Sequence, residues 1–439
     1  MNNRMWSAIM AVLAVMVSRA AVAEEFFFKD GDRVVMIGDS ITAQHLYSTY
    51  VEMWALTRFP ARDITFVNVG IGGDVAPGGN KRFNRDVLPH RPTALTVDFG
   101  MNDGGYAGFI TNRFLNYKAG LQGIADKART NSIRVAWITP SPYEKKETGP
   151  AIQGYNETLE RFSEGVRDLA LADKNLFIDQ FHPYLGIIDK ARAANPVNRI
   201  GGGDAIHPGP PGQALMAATI LKGMHFPTLV AAIEIDGAAG RMTTVQNCSV
   251  EGLRKGDDGS LSFTQTDAAL PYFPDEAATI LRWSPIRDEL NEYRMKITGL
   301  ADGDYAISLG DNHTNVARFS AAQLAQGVDL GAAVLTNGPI AEQVRAVERA
   351  VKAKNAYFKT NIFTGVILAQ VNIPDFMEIK TVDIEAKRAA AFTNRMARMP
   401  EYFTAIRKTL VMRPHLVRIT PIAGDMKITK PVDENMVPK

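Results

Sequence analysis

An α/β fold built on a parallel five-stranded sheet is predicted by three observations. An apolar run without helical period ends in a small turn at Gly38-Asp39-Ser40, four more strand-like runs follow it, and helical stretches separate successive runs. Short continuous apolar runs bounded by turn residues suit strands buried on both faces. Their alternation with helices implies right-handed crossovers and helices on both faces of the sheet. The composition is that of a globular chain: 46% of the 439 residues are hydrophobic and 22% charged, which excludes a mostly disordered protein. This length predicts one large domain plus an accessory part.

The run 33–38 delivers Ser40 to the junction of strand and helix, because Tyr47, Tyr50, Val51 and Trp54 then recur at helical spacing. Ligands of open α/β sheets bind outside the carboxyl ends of the strands, and a helix N-terminus adds N–H donors and positive potential. Ser40 is therefore placed to attack an ester. The second strand, 64–68, runs into Val69-Gly70-Ile71-Gly72-Gly73-Asp74, whose glycines let the backbone approach a ligand. A short helix is expected over 82–88 and a third strand over 93–99, ending in Gly100-Met101-Asn102-Asp103. An amide such as that of Asn102 donates to a developing negative charge without titrating. Asn102 and Asp103 could instead cap a helix. Helical stretches around 115–128 and 156–172 lead to the strands 133–139 and 176–179.

Two segments offer Asp-x-x-His-Pro: Asp179-Gln180-Phe181-His182-Pro183 and Asp204-Ala205-Ile206-His207-Pro208. A carboxylate three residues before an imidazole can turn back to one ring nitrogen, which fixes the tautomer and leaves the other nitrogen to deprotonate a serine. Asp179 ends a strand. Asp204 follows three glycines and precedes Gly209-Pro210-Pro211-Gly212-Gln213 and a helix over 214–221.

Taken together, these blocks resemble the GDSL, or SGNH, hydrolases over about residues 32–226. Gly38-Asp39-Ser40 matches the first block, and Gly100-Met101-Asn102-Asp103 the third. The second block is a glycine of the 69–74 loop, for which Gly73 is the best match and Gly70 and Gly72 are competitors. The family's last block lies in a loop feeding the final helix, which selects Asp204 and His207 and leaves His182 as a loop side chain near the site. The α/β-hydrolase elbow Gly-x-Ser-x-Gly is not present around Ser40. The resemblance implies a flavodoxin-like strand order in a three-layer α/β/α domain. It also implies a Ser40 nucleophile, a His207 base and an orienting Asp204. The Ser40 N–H, the Gly73 N–H and Asn102 would form the oxyanion hole, with Asp39 and Asp103 in support. No cofactor and no metal are implied. The remaining histidines, His45, His90, His225, His313 and His415, have no metal-ligand spacing, and His313 falls in a turn.

Arg4, an apolar segment over 7–17 and Ala21-Val22-Ala23 read as a secretory signal peptide with cleavage near Ala23, and no later stretch could span a bilayer. The expectation is a periplasmic or extracellular protein. Its oligomeric state is not legible. Cys248 is the only cysteine, so no intramolecular disulfide can form, and an inert, partly buried thiol is expected. The net charge of +2, without a dense Lys/Arg stripe, excludes a nucleic-acid partner. The expected organisation is a signal peptide over 1–23, a catalytic domain over 24–228 and an accessory region over 229–439. Short antiparallel strands are read over 231–317, then mainly helices over 318–412 with a break or kink at Pro400. Export and the resemblance favour O-deacetylation of a polysaccharide or oligosaccharide. The alternatives are lipase, thioesterase or lysophospholipase activity, carbohydrate O-acyl transfer, and a carbohydrate-binding module with a dead esterase domain.

Overall fold

The computed structural model describes residues 25–145, 151–310, 314–369 and 381–422. The expected signal peptide and His313 lie outside the described residues. Strands β1 (Arg33–Gly38), β2 (Thr65–Asn68), β3 (Ala94–Asp98), β4 (Arg134–Ile138) and β5 (Leu176–Ile178) form a parallel sheet in the flavodoxin-like order β2-β1-β3-β4-β5. Along β1, Val34 and Met36 enter one core layer with Tyr47, Tyr50 and Trp54, while Val35 and Ile37 enter the other with Tyr117, Leu121 and Phe162. Burial on both faces is why the run shows no alternation.

The helices interleaved with and following these strands are α1 (Ser40–Ala43), α2 (Leu46–Arg58), α3 (Ala76–Asp86), α4 (Thr111–Thr130), α5 (Tyr155–Ala172), α6 (Phe181–Ala194) and α7 (Pro210–Gly223). Two expectations are corrected. Helix α3 begins at Ala76 rather than 82, because Pro77 suits a first turn and Gly79 lies against the Phe99 ring, where an added Cβ would sit 2.6 Å away. Residues 181–194 are helical, so His182 stands in a first turn and not in a loop; Phe181, Tyr184, Ile188 and Ala191 turn one buried stripe inward.

The accessory region holds β6 (Leu229–Asp236), β7 (Arg241–Gln246), β8 (Cys248–Lys255), β9 (Leu261–Asp267), β10 (Glu292–Thr298), β11 (Asp304–Leu309), β12 (Thr314–Ser320), β13 (Val328–Asp329) and β14 (His415–Pro421). They make one sheet ordered β13-β10-β6-β7 and another ordered β12-β11-β14-β9-β8. The expected antiparallel section is thus partly mixed, because β6 and β10 pair in parallel across a long excursion. The helical stretch breaks at the expected place: one helix ends at Met396 and the next, Met399–Thr409, carries Pro400 in its first turn, where a proline sacrifices no helical hydrogen bond. The Cys248 thiol is half-buried and pushed up to about 11 by burial, as suits an inert side chain.

Both halves share one core. Trp54 of α2 meets Tyr272 edge-on at 5.2 Å. Lys354, from the helix Pro339–Tyr357, is fully buried and donates to Glu52 of α2 at 2.9 Å and to the Phe66 carbonyl of edge strand β2 at 2.7 Å. The accessory helix thereby satisfies one carbonyl on the edge of the parallel sheet.

Candidate active site

The carboxyl end of β1 is shaped for an abrupt exit. Any side chain at Gly38 would place its Cβ 2.1 Å from Thr42 Oγ1 and 2.5 Å from the Asp98 carbonyl. The turn is closed by Asp39, whose carboxylate accepts the Ile41 N–H at 2.9 Å and so caps α1, with Ser40 as its first residue. Burial pushes Asp39 up to about 7.

Asp204 Oδ1 accepts the Ile206 and His207 N–H groups at 2.7 Å each, which folds the loop so that Oδ2 meets His207 Nδ1 at 3.0 Å. A carboxylate at this position can only accept, so Nδ1 carries the proton. His207 Nε2 then faces Ser40 Oγ at 2.8 Å. Partial burial opposes ionisation of Asp204, but the hydrogen bonds from the His207 backbone, the His207 ring and the Ile206 backbone outweigh it and draw the carboxyl down to about 2. The three predicted residues thus form one hydrogen-bonded chain.

Two of the predicted oxyanion donors, Gly73 and Asn102, lie on the loops after β2 and β3. Gly73 has a φ of 72°, which favours glycine, and nothing stands within 4 Å of where a side chain would begin. The Asn102 amide donates one N–H to the Asp74 carbonyl at 2.9 Å, and its Oδ1 accepts from the Tyr106 hydroxyl, so both ends are held and a second N–H is free to donate. Asp103 does not reach Ser40 or His207. It accepts the Ala76 N–H at 2.9 Å and caps α3, and burial pushes it up to about 7.

Several residues that frame the site carried no legible signal in the sequence. The buried Arg82 guanidinium donates to the Gly38 carbonyl at 3.1 Å, the Val69 carbonyl at 2.6 Å and Asp74 at 2.7 Å. It joins the turn before Ser40 to the loop that carries Gly73 and, through Asp74, to Asn102. Gln213 accepts the Tyr47 N–H at 2.9 Å and donates to the Pro208 carbonyl at 2.9 Å, tying the histidine loop to the helices after Ser40. Buried Glu144 accepts from Ile200 and Gly201 at 2.8 and 2.9 Å and anchors the start of that loop. The sole hint is positional: Arg82 lies eight residues after Asp74, and Gln213 six after His207.

Residues 36–215 match the model of the GDSL-like lipase/acylhydrolase family. An acetylxylan esterase of Geobacillus stearothermophilus is 23% identical over 220 residues, which are 45% of this chain and 95% of that relative. The solved structure of a gut microbial diltiazem-metabolizing enzyme superposes with a TM-score of 0.78 at 25% identity, covering 90% of this chain and 98% of the other. That coverage takes in the accessory region as well as the parallel sheet. Residues 36–215 thus carry a GDSL-like lipase/acylhydrolase domain, and the protein is an esterase.

Proposed function

We propose that this esterase removes acetyl groups from a polysaccharide or oligosaccharide through an acyl-enzyme on Ser40. The observation that carries the mechanism is the 2.8 Å approach of His207 Nε2 to Ser40 Oγ, with Asp204 3.0 Å behind the imidazole. His207 takes the hydroxyl proton as Ser40 Oγ bonds to the ester carbonyl carbon, and Asp204 steadies the imidazolium. Negative charge on the carbonyl oxygen is met by the Ser40 and Gly73 N–H groups and the free N–H of Asn102. Collapse expels the alcohol, which takes its proton from His207. Water activated by His207 then adds to the acyl carbon and releases the acid and Ser40. One oxyanion donor is worth ~3–4 kcal/mol of barrier.

The carbohydrate substrate is supported by the acetylxylan esterase relative, which aligns over 95% of its own length. With it we propose residues 24–228 as the catalytic domain, 229–439 as an accessory region, and export of the protein. Among the described residues no helix is long and apolar enough to cross a membrane. Acetate release from acetylated polysaccharides, beside nitrophenyl acetate and octanoate, tests the reading with the Ser40→Ala variant as control. Ser40-dependent release from a polymer is expected. Cleavage of nitrophenyl octanoate alone would replace the deacetylase by a lipase-type acyl hydrolase, and acetyl appearing on an added sugar instead of in water would make it a transferase.

A further inference from the structure

A cavity of about 210 Å³ lies between the two halves of the chain, with Gln44, Leu46 and Tyr50 on one wall and Lys352, Ala356 and Lys359 on the other. Gln44 on its wall directly follows α1, the helix that Ser40 begins, and the Gln44 N–H donates to the Ser40 carbonyl at 3.0 Å. Its walls are fixed in place. Asn355 donates to Thr49 at 3.1 Å and to Glu52 at 3.0 Å, and the Tyr50 hydroxyl donates to Glu276 at 3.1 Å. Lys359 Nζ donates to the carbonyl of Ala43, the last residue of α1, at 3.0 Å.

The charges lining this space are unevenly matched. Lys352 has carboxylates at 2.8 Å (Glu348) and 3.6 Å (Glu276). Lys359 is exposed, and its partner among the described residues is a neutral carbonyl, so its charge is uncompensated. His45, whose backbone is left-handed at φ 67°, also borders the cavity; burial, then the charges of Lys359 and Lys354, push its pKa down to about 3, so it adds no charge of its own.

We infer that this cavity is a subsite for the alcohol side of the ester, holding a single sugar ring that carries a carboxylate and pairing that carboxylate with Lys359. The inference rests on the carbohydrate-ester reading above. The space is smaller than the ~300–1,000 Å³ of pockets that engulf a drug-sized ligand, so it suits one ring or branch and not an oligomer. Leu46, Tyr50 and Ala356 supply apolar surface for a ring face, while Asn355, Glu276 and Lys359 meet its polar rim. An acyl chain is a poor occupant, since it would desolvate those polar groups without replacing their hydrogen bonds.

Direct binding to the full chain tests the inference without turnover, using methyl glucuronoside and methyl glucoside as probes in ligand-observed NMR titrations. The glucuronoside is expected to bind about fivefold more tightly at low salt, with the preference lost in Lys359→Met, restored in Lys359→Arg and weakened by salt. Lys359 is exposed, so its replacement leaves the core intact, and a thermal melt checks this. Equal binding of the two probes, binding of neither, or a preference that survives Lys359→Met overturns the subsite. Acetate release from acetylated acidic and neutral oligosaccharides tests the parent reading separately. Absence of release beside an intact glucuronoside preference removes the deacetylase and keeps the subsite; release beside equal probe binding does the reverse.

Discussion

The segments Asp179–His182 and Asp204–His207 solve the same local problem and reach different ends. In each, the carboxylate turns back to the imidazole three residues on, at 2.8 Å in the first and 3.0 Å in the second, and accepts that histidine's N–H. Beyond the dyad they diverge. His182 sits half-exposed on α6 with its other nitrogen 3.5 Å from Glu160; Asp179 and Glu160 outweigh partial burial and raise its pKa. His207 instead turns its free nitrogen to a serine 167 residues away. A carboxylate–imidazole pair is thus a short-range product of spacing, whereas its third member is a product of topology. Only in the second segment does a strand of the parallel sheet deliver a hydroxyl.

Replacing the histidines separates the two most sharply. His207→Ala should lower kcat on nitrophenyl acetate by about 10⁴–10⁶-fold, as should Ser40→Ala; retention of a tenth of the activity in either purified variant would break the assignment. Asp204→Asn should cost about 10⁴-fold, because the amide can present a donor to Nδ1 and select the wrong tautomer. The proposed chemistry assigns Asn102 as an oxyanion donor to the second dyad, so Asn102→Ala should lower kcat about 10²–10³-fold with a small change in KM. A mainly KM effect would assign Asn102 to binding.

Asp39, in the turn before the nucleophile, adds a pH dependence of the opposite kind of group, a buried carboxyl. Its pKa is about 7 folded against 3.8 as a free side chain, so between these values the native state holds a proton that the unfolded chain has released. Stability therefore falls as pH rises through that window and levels off above about 7. Asn keeps an acceptor for the Ile41 N–H and removes the titration. Asp39→Asn should gain roughly 3 kcal/mol on wild type between pH 4 and pH 8, read from denaturant melts. An unchanging difference would show that Asp39 does not titrate there.

The smallest effect belongs to His182→Ala, expected to alter kcat/KM by less than about twofold, in the range of a surface substitution. Because the pKa of His182 is raised in the fold, its stabilising contribution is complete below the unfolded value and disappears as pH rises through the folded one. Melts of this variant should approach wild type as the pH goes from 5.5 to 9. A hundredfold loss of activity would make the first dyad part of the chemistry.

What could be read in advance follows from the same distinction. Each candidate chemical residue ends an apolar run or follows a glycine turn: Ser40 after β1, Asn102 after β3, Asp204 after three glycines. Local patterning marks such places. The side chains that hold these loops together look like surface residues in the sequence, since Arg82 lies in the polar stretch Asn80-Lys81-Arg82-Phe83-Asn84-Arg85 and acquires its burial from Gly38 and Val69. The parallel pairing of β6 with β10 was illegible for a related reason: both strands alternate as edge or antiparallel strands do, and only the long excursion between them sets their direction. Helix α6 escaped because its Asp-x-x-His-Pro start draws attention to chemistry, although Pro183 is acceptable in a first helical turn.

The buried pair of Glu52 and Lys354 joins residues 302 positions apart. At ~5–20 residues per second of synthesis, Lys354 follows Glu52 by roughly 15–60 s. A nascent chain holds Ser40, Asp204 and His207 well before it has the cation that makes burial of Glu52 tolerable beneath the nucleophile's neighbouring helix. Ribosome-stalled chains of increasing length should accordingly gain Ser40-dependent hydrolysis only after residue 354 has emerged, so that the start of activity is timed by the arrival of Lys354 and not by completion of the triad.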